Sequence, residues 1–227
     1  MNDIVSQIAT QVGVPNELVI KAVEFVGSLL SSPLKELSNI GTDQIKWLRV
    51  KNQVRLLNTA KEYCDKKGIK SSYIPAKFLF PLLEGVSLEE DNDEDMHKMW
   101  TALLLNAIDY SSEKKVKLGY IDMLKQLSAQ EAKILDISYD VYKDDMFALR
   151  HLKKKFKDKI DIDNNDFLIC VDNFVRLNIW KPTLAEELLD KLSWKSISDE
   201  NVRIVTDNTN YKFTLLGENF IKCCRME

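Results

Sequence analysis

The sequence predicts a mainly α-helical protein, in which an N-terminal helical bundle is followed by a C-terminal winged-helix-like module with a small β-hairpin. Seven glycines and five prolines in 227 residues are few, which favours long helices over many hairpins. Apolar residues recur at helical spacing in successive segments, while two strand-like runs, NVRIVTD and YKFTLL, stand near the C-terminus. A polar stretch, SSEKKVK, separates the predicted domains 1–113 and 114–227.

The first two predicted helices have clear start and stop signals. Pro15 opens a helix that runs to about Leu30, where a Ser-Ser-Pro sequence stops it. Its surface is apolar on most sides, which is typical of a central bundle helix, with self-association or membrane-surface binding as the alternative. Thr42 or Asp43 caps a long, outwardly basic helix that Gly68 ends.

The segment from Lys77 to Tyr110 is the most informative part of the chain. A proline-marked apolar stretch leads into an acidic run over residues 84–95, which Ser87 and Glu90 mark as the start of a helix by their capping-box spacing. The following helix carries Asn106 on an apolar stripe formed by Met96, Met99, Trp100, Leu103 and Ala107. A buried amide needs partners, so Asn106 is interpreted as binding a neighbouring loop backbone, and a direct functional role is the alternative.

The C-terminal half predicts the element order of a winged helix with an extra helix inserted before the wing. A capping box at Ser128 opens a helix that runs to about Tyr142. Three helices, the hairpin joined by Asn208-Thr209-Asn210 and a last helix are then expected in chain order. The four helices cover residues 145–157, 165–177, 183–192 and 217–224.

Composition limits the kinds of partner and compartment. A formal net charge of −3 implies neither a nucleic-acid nor a membrane partner by itself. The N-terminus shows no signal-peptide pattern, and the most apolar window, residues 18–30, is too short to cross a membrane. Cysteines without CxxC spacing predict reduced thiols and a cytoplasmic location; they are Cys64, Cys170, Cys223 and Cys224.

No motif for catalysis, a metal or a cofactor is present in the sequence. Nucleophile-elbow, phosphate-loop, dinucleotide and zinc-protease patterns are missing. The acidic run lacks the frame of a calcium-binding loop, and His97, with no nucleophile beside it, is interpreted as structural. The sequence therefore predicts a protein that is not an enzyme, with no catalytic residue, no metal site and no small-molecule substrate.

Reading of DNA bases by the winged module is disfavoured. The third helix of that module carries Asp166 and Asp172 with Arg176 as its only base, and acids there repel phosphates. Basic residues instead cluster one helix earlier. That run is typical of a solvated face, and its candidate phosphate contacts are Lys153, Lys154, Lys155 and Lys157.

Three segments together resemble the abortive infection alpha family of bacterial proteins. They are PLLEGVSLEED with MWTALLLNAID, then LKQLSAQEAKIL, and finally YKFTLLGENFIKCC, within residues 35–224. The resemblance maps family-motif positions onto Glu84, Trp100, Asn106 and Asp109. Thr101 departs from the pattern, which favours a small apolar residue there and accommodates a polar one that faces outward.

The resemblance implies a role in bacterial defence against phage and brings no catalytic mechanism. We therefore expect a non-enzymatic interaction protein that acts through a protein partner or a homo-oligomer. The acidic run and the apolar N-terminal helix are its candidate surfaces. The alternatives are a nucleic-acid-binding regulator that uses the winged module and a membrane-damaging effector that uses residues 18–30.

Overall fold

The computed structural model describes residues 6, 9–10, 13–30, 44–90, 93–109, 111, 114–142, 147–148, 160, 162–183 and 210–226, with backbone only at residues 44–49 and 147–148. Eight helices and three short strands lie in these ranges, which confirms the mainly helical prediction. The chain divides into two compact units, one formed by Met1–Ala129 with Cys223–Glu227 and the other by Gln130–Lys222. The domain boundary predicted between residues 113 and 114 falls inside the first compact unit. The division into two domains at that point stays a prediction.

Five helices build the first unit. Helix α1 follows Pro15 and α2 ends before Gly68, as the sequence predicts, and the φ of +67° at Gly68 suits the left-handed turn after a helix. The cap expected at Thr42 or Asp43 lies outside the described residues. The five are α1 (Asn16–Leu29), α2 (Gln44–Lys67), α3 (Ala76–Val86), α4 (Glu94–Ile108) and α5 (Leu118–Leu124).

The apolar face of α1 is covered by α2. The Asn58 side chain of α2 donates to the Leu18 carbonyl at 3.0 Å, which fixes the two helices at that level. Ile20, on another side of α1, is 40% exposed. The buried residues of α1 are Val19, Ala22, Phe25, Val26 and Leu29.

Helix α4 lies at the centre of the first unit. It packs against α2 and α3, and α3 also contacts α5. Ten of its fifteen residues are buried, from Met96 to Ile108, so it is enclosed on most of its circumference. The arrangement of these helices as a bundle stays a prediction.

The acidic run differs from the helix start that the sequence predicts at Ser87. Ser87 does not open a helix: it is the C-cap of α3, and its hydroxyl donates back to the Glu84 carbonyl at 2.6 Å. Helix α4 starts instead at Asp93, whose carboxylate accepts from the Met96 amide at 3.0 Å. The physical reason is that the apolar pattern of α3 continues through Val86, so Ser87 meets the end of a helix.

The second unit combines helices with a small antiparallel sheet. Strand β3 is central, with β1 on one side and β2 on the other; Trp180 is opposite Phe213 and Thr183 is opposite Asn210. In chain order its elements are α6 (Ala129–Tyr142), β1 (Phe147–Ala148), α7 (Asn164–Arg176), β2 (Trp180–Thr183), β3 (Asn210–Phe213) and α8 (Leu215–Cys223). Ala129 and Cys223, the end residues of α6 and α8, count with the first unit.

The core of the second unit is aromatic. The ring of Trp180 lies 4.5 Å from that of Phe174 and 6.0 Å from that of Phe213, centroid to centroid. The Tyr139 ring packs edge-on against Phe213 at 5.7 Å. These rings hold α6 and α7 against the sheet.

The helices predicted at 165–177 and 217–224 are confirmed as α7 and α8. The helix predicted at 145–157 is wrong at Phe147–Ala148, which pair with β3 as a strand because a partner far along the chain satisfies their backbone. Thr183, the expected first residue of another helix, ends β2. The remainder of these two helices and the strand NVRIVTD lie outside the described residues, and the winged-helix assignment stays a prediction.

Candidate functional site

The motif tryptophan is held against a glycine. Trp100 is fully buried in α4, and a Cβ on Gly85 of α3 would lie 2.4 Å from Cη2 of the Trp100 ring. Only a residue without a side chain permits this approach of the two helices. Next to it, the Glu84 carboxylate is exposed and pairs with Lys125 at 3.1 Å.

The same tryptophan fixes the segment before α4. Its Nε1 donates to Oε1 of Glu89 at 2.8 Å, and the Asn52 amide of α2 donates to the Glu89 carbonyl at 2.7 Å. Burial raises the pKa of the Glu89 carboxyl, and the Trp100 hydrogen bond partly offsets that rise. Residue 89 is therefore held by side chain and backbone together.

An exposed apolar side chain stands beside this anchor. Leu88 is 63% exposed, between Ser87, which is buried, and the anchored Glu89. Gln53 of α2 donates to the Leu83 carbonyl at 3.0 Å, which holds the end of α3. We call residues 87–90 with 93–95 the acidic loop.

An ion pair joins the acidic loop to the basic helix α2. Arg55 donates to the carboxylate of Glu94, and both side chains are partly exposed. An exposed pair of this kind contributes about 0–1 kcal/mol. The loop is thus positioned mainly by the part-buried hydrogen bonds to Glu89.

Asn106 reaches the end of the chain. Its Nδ2 donates to the carbonyl of Ala102 at 2.9 Å within α4 and to the carbonyl of Cys223 at 3.0 Å. A longer contact of 3.4 Å joins it to the carbonyl of Arg225. Cys223 is the last residue of α8, so its carbonyl has no acceptor role within the helix. Because Cys223 is buried, the Asn106 amide provides the donor that this carbonyl needs.

Asp109, the last of the four motif residues, lies at the C-terminal end of α4. It is the C-cap of α4, and its Oδ1 accepts from the amide and the hydroxyl of Ser111 at 2.8 and 2.6 Å. Its backbone forms an isolated bridge with Ser71. The four motif residues thus occupy two places, with Glu84 and Trp100 around Gly85 and with Asn106 and Asp109 at the end of α4.

Thr101 does not face outward, which is the orientation in which the family pattern accommodates a polar residue at this position. It is fully buried, and its hydroxyl donates to the His97 carbonyl one turn earlier at 2.8 Å. A buried hydroxyl that bonds its own helix in this way needs no external partner. The departure from the family pattern is therefore accommodated inside the core.

His97 lies in a buried position between α4 and α2. Its Nε2 is 3.4 Å from the Thr59 hydroxyl. Burial lowers its pKa to about 4, with a further lowering from the Arg55 charge and an opposing contribution from Glu94. The imidazole is therefore neutral near pH 7.

Asn106 lines two cavities. One has a volume of about 610 Å³ and the other about 420 Å³. Asn106, Asp109 and Lys114 line both, and the Lys114 ammonium donates to the Arg225 carbonyl at 3.2 Å. We call the two cavities together the Asn106 cleft.

In the second unit, the segment YKFTLLGENFIKCC contains a tight turn at the start of α8. The Thr214 hydroxyl donates to the Asn178 carbonyl at 2.6 Å and accepts from the Gly217 amide at 2.9 Å, which caps α8. A Cβ on Gly217 would lie 2.2 Å from the Ile179 carbonyl oxygen. Asn178 itself has a φ of +54°, a conformation that asparagine adopts more readily than most residues.

Of the two candidate nucleic-acid surfaces, the structure describes the one on α7. Asp166, Asp172 and Arg176 of α7 are all exposed, and the Arg176 guanidinium donates to the Asn173 side chain at 2.6 Å. Glu131 accepts from the same asparagine at 2.7 Å. The four candidate phosphate contacts, Lys153, Lys154, Lys155 and Lys157, lie outside the described residues.

Three kinds of site are missing within the described ranges. No group of three or more His, Cys, Asp or Glu side chains there can hold a metal ion, and no described helix has the length and apolarity needed to cross a membrane. The four cysteines are buried free thiols. Burial raises the pKa of each of them, in the case of Cys170 to about 11, which disfavours the reactive thiolate.

Sequence reasoning missed two features of these places. Glu89 is the acceptor for Trp100, but a glutamate inside an acidic run carries no sign of that role. The cations of the Asn106 cleft come from α2, α3, the segment before α5 and the residues after α8, so no single sequence motif contains them all.

Comparison with known proteins gives one match. No curated protein and no solved structure matches this chain. The family model for abortive infection alpha matches residues 51–224, which include all four motif residues and most of both compact units. The resemblance found in the sequence is confirmed, and the chain belongs to the abortive infection alpha family.

Proposed function

We propose that this protein acts in bacterial abortive infection defence as a non-enzymatic interaction protein that binds a protein partner or a second copy of itself. Membership of the abortive infection alpha family suggests the defence role. The proposed contact surface is the acidic loop, and the observation that carries it is the exposed Leu88 on an anchored segment.

A single exposed leucine is ordinary on a protein surface. Leu88 differs because the next residue is fixed by two hydrogen bonds, from Trp100 and from Asn52. A surface that is already ordered loses less conformational entropy on binding, so more of the contact free energy appears as affinity. This supports Leu88 as an anchor for a partner.

The charges around Leu88 indicate what the partner carries. The described part of the acidic loop includes Glu89, Glu90, Asp93, Glu94 and Asp95. Complementary charge speeds association and discriminates between partners. The proposed partner surface is therefore basic around an apolar pocket, and buried free thiols fit the reducing cytoplasm as the compartment.

The test compares Leu88→Ser with Tyr73→Ser. Tyr73 is 71% exposed in the same unit and lies outside the acidic loop, so it is a matched control for loss of surface apolarity. Affinity capture during phage challenge, together with light scattering of the purified protein, measures partner binding and self-association. We expect Leu88→Ser to lose the partner or the oligomer that the native protein and Tyr73→Ser retain. Retention of the same complexes by Leu88→Ser at native levels contradicts the proposal.

A nucleic-acid-binding regulator is the second candidate. Two observations favour it: the order of α6, β1, α7, β2 and β3, and the central position of β3 in the sheet, both of which are winged-helix features. The exposed Asp166 and Asp172 argue against insertion of α7 into a groove. Backbone contact through the lysine run then predicts binding that falls steeply with salt and is lost when Lys153, Lys154, Lys155 and Lys157 are replaced together. Binding that ignores salt, or none at all, removes this candidate.

A further inference from the structure

The Asn106 cleft has the size of a small-molecule site. Its two cavities, of about 610 and 420 Å³, fall within the range of roughly 300–1,000 Å³ that ligand pockets occupy. They share a wall made by Asn106, Asp109 and Lys114. A ligand group bound at Lys114 can therefore belong to a ligand in either cavity.

The lining of the cleft is strongly cationic. Asp109 is the only carboxylate among its described lining residues, and that carboxylate already accepts from Ser111. Lys114 and Arg225 are half-buried, so salt screens the interactions of their charges less than it screens those of exposed side chains. The full set of described cations is Lys67, Lys77, Lys114, Lys117 and Arg225.

Helix ends reduce this positive charge without cancelling it. Helices α2 and α4 end at Lys67 and Ile108, and α8 ends at Cys223, close in sequence to residues that line the cleft. Each C-terminus contributes roughly half a negative charge. Three such ends together with Asp109 amount to about −2.5, against five cationic side chains, so the cleft stays positive and favours an anion.

The two cavities differ in polarity. The smaller one is lined by the apolar side chains of Ile74, Phe78, Val116 and Leu118 together with its lysines. The larger one carries the Tyr63 ring, with the Lys67 ammonium 5.7 Å from its centroid. A ligand at Lys114 in either cavity therefore meets apolar or aromatic side chains as well as positive charge, which favours a ligand with an apolar or aromatic part and a negative charge.

We propose that the Asn106 cleft binds a phosphate ester of about nucleotide size, with its phosphate at Lys114 and its apolar or aromatic part in the smaller cavity. Lysine and arginine are the usual protein donors to phosphate. This site goes beyond the proposed function, because it concerns a small-molecule ligand and lies apart from the acidic loop in sequence and in lining residues. It also places Asn106 and Asp109, two motif residues, on the wall of a binding site.

Calorimetric titration of the full chain tests the proposal with four probes: inorganic phosphate, adenosine, AMP and ATP. We expect AMP or ATP to bind more tightly than either phosphate or adenosine, because only the nucleotides offer both parts. Absence of AMP and ATP binding up to about 1 mM overturns the proposal. Adenosine binding as tight as nucleotide binding overturns the role of the cations.

Variants then locate the site. Lys114→Ala should weaken nucleotide binding by roughly tenfold or more, while Lys115→Ala should leave it unchanged, since Lys115 is exposed and lines neither cavity. Because Lys114 also donates to the Arg225 carbonyl, the double variant Lys77→Ala/Lys117→Ala provides a second test with exposed side chains. It should weaken binding of nucleotide with the melting temperature unchanged. Equal weakening by Lys115→Ala places the binding elsewhere and refutes the site.

Discussion

Replacement of Asn106 by alanine measures how much the motif amide stabilises the first unit. The variant loses an intrahelical bond to the Ala102 carbonyl and a tertiary bond to the Cys223 carbonyl. Loss of a donor to a buried carbonyl costs about 1–3 kcal/mol, whereas alanine regains a few tenths of a kcal/mol in helix propensity. The expected loss in the free energy of unfolding is therefore about 1–2.5 kcal/mol, which lowers the melting temperature by about 2–4 °C per kcal/mol in a chain of this size.

Asn219→Ala is the matched control for this change. Asn219 of α8 is exposed and makes the same kind of intrahelical bond, to the Leu215 carbonyl at 2.7 Å, without a tertiary bond of the Cys223 kind. Its effect should stay within about 0.5 kcal/mol. Urea unfolding followed by circular dichroism measures both variants. Equal unfolding curves for the two variants would refute the stabilising role of the tertiary bond.

The remaining predictions concern close packing and pH. Gly85→Ala and Gly217→Ala should each destabilise by about 1–3 kcal/mol or more, since the new Cβ would lie 2.4 Å from a buried Trp100 atom and 2.2 Å from a backbone oxygen. Gly119→Ala, where a Cβ meets nothing within 4 Å, should leave stability equal or higher, and similar melting temperatures for all three would contradict the argument. Because His97 has a folded pKa of about 4, below its unfolded value of 6.5, stability should be complete above pH 6.5 and fall as the pH drops towards 4, by up to about 3 kcal/mol at 1.36 kcal/mol per pKa unit. His97→Gln should flatten that part of the stability–pH curve, and an unchanged slope in the variant would show that other groups cause it.

The parts of the fold that the sequence predicts well have local causes. Pro15 and Gly68 act on the chain where they stand, so the start of α1 and the end of α2 each follow from one local residue. Ser87 shows the limit of this reasoning, because the same hydroxyl can serve the start or the end of a helix and capping-box spacing does not separate the two. Strand β1 shows a second limit, since its two residues are a strand only through pairing with β3.

The candidate site divides in the same way. An amide on an apolar stripe is visible in the sequence at Asn106, but its acceptor at Cys223 depends on how the chain end folds back. The family pattern accommodates a polar residue at position 101 that faces outward, whereas in the structure the Thr101 hydroxyl is satisfied within α4 and the residue is buried. The cations of the Asn106 cleft come from several separate elements, so only the tertiary structure brings them together.

Phage plating with Leu88→Ser tests the proposal that the acidic loop carries the defence contact while Trp100 and Asn106 support the structure around it. Native protein and Tyr73→Ser serve as references, and the melting temperature of each purified variant shows that it is folded. We expect Leu88→Ser to keep its native melting temperature and to lose protection, with as many plaques as on cells that lack the protein. Full protection by folded Leu88→Ser would contradict the proposal.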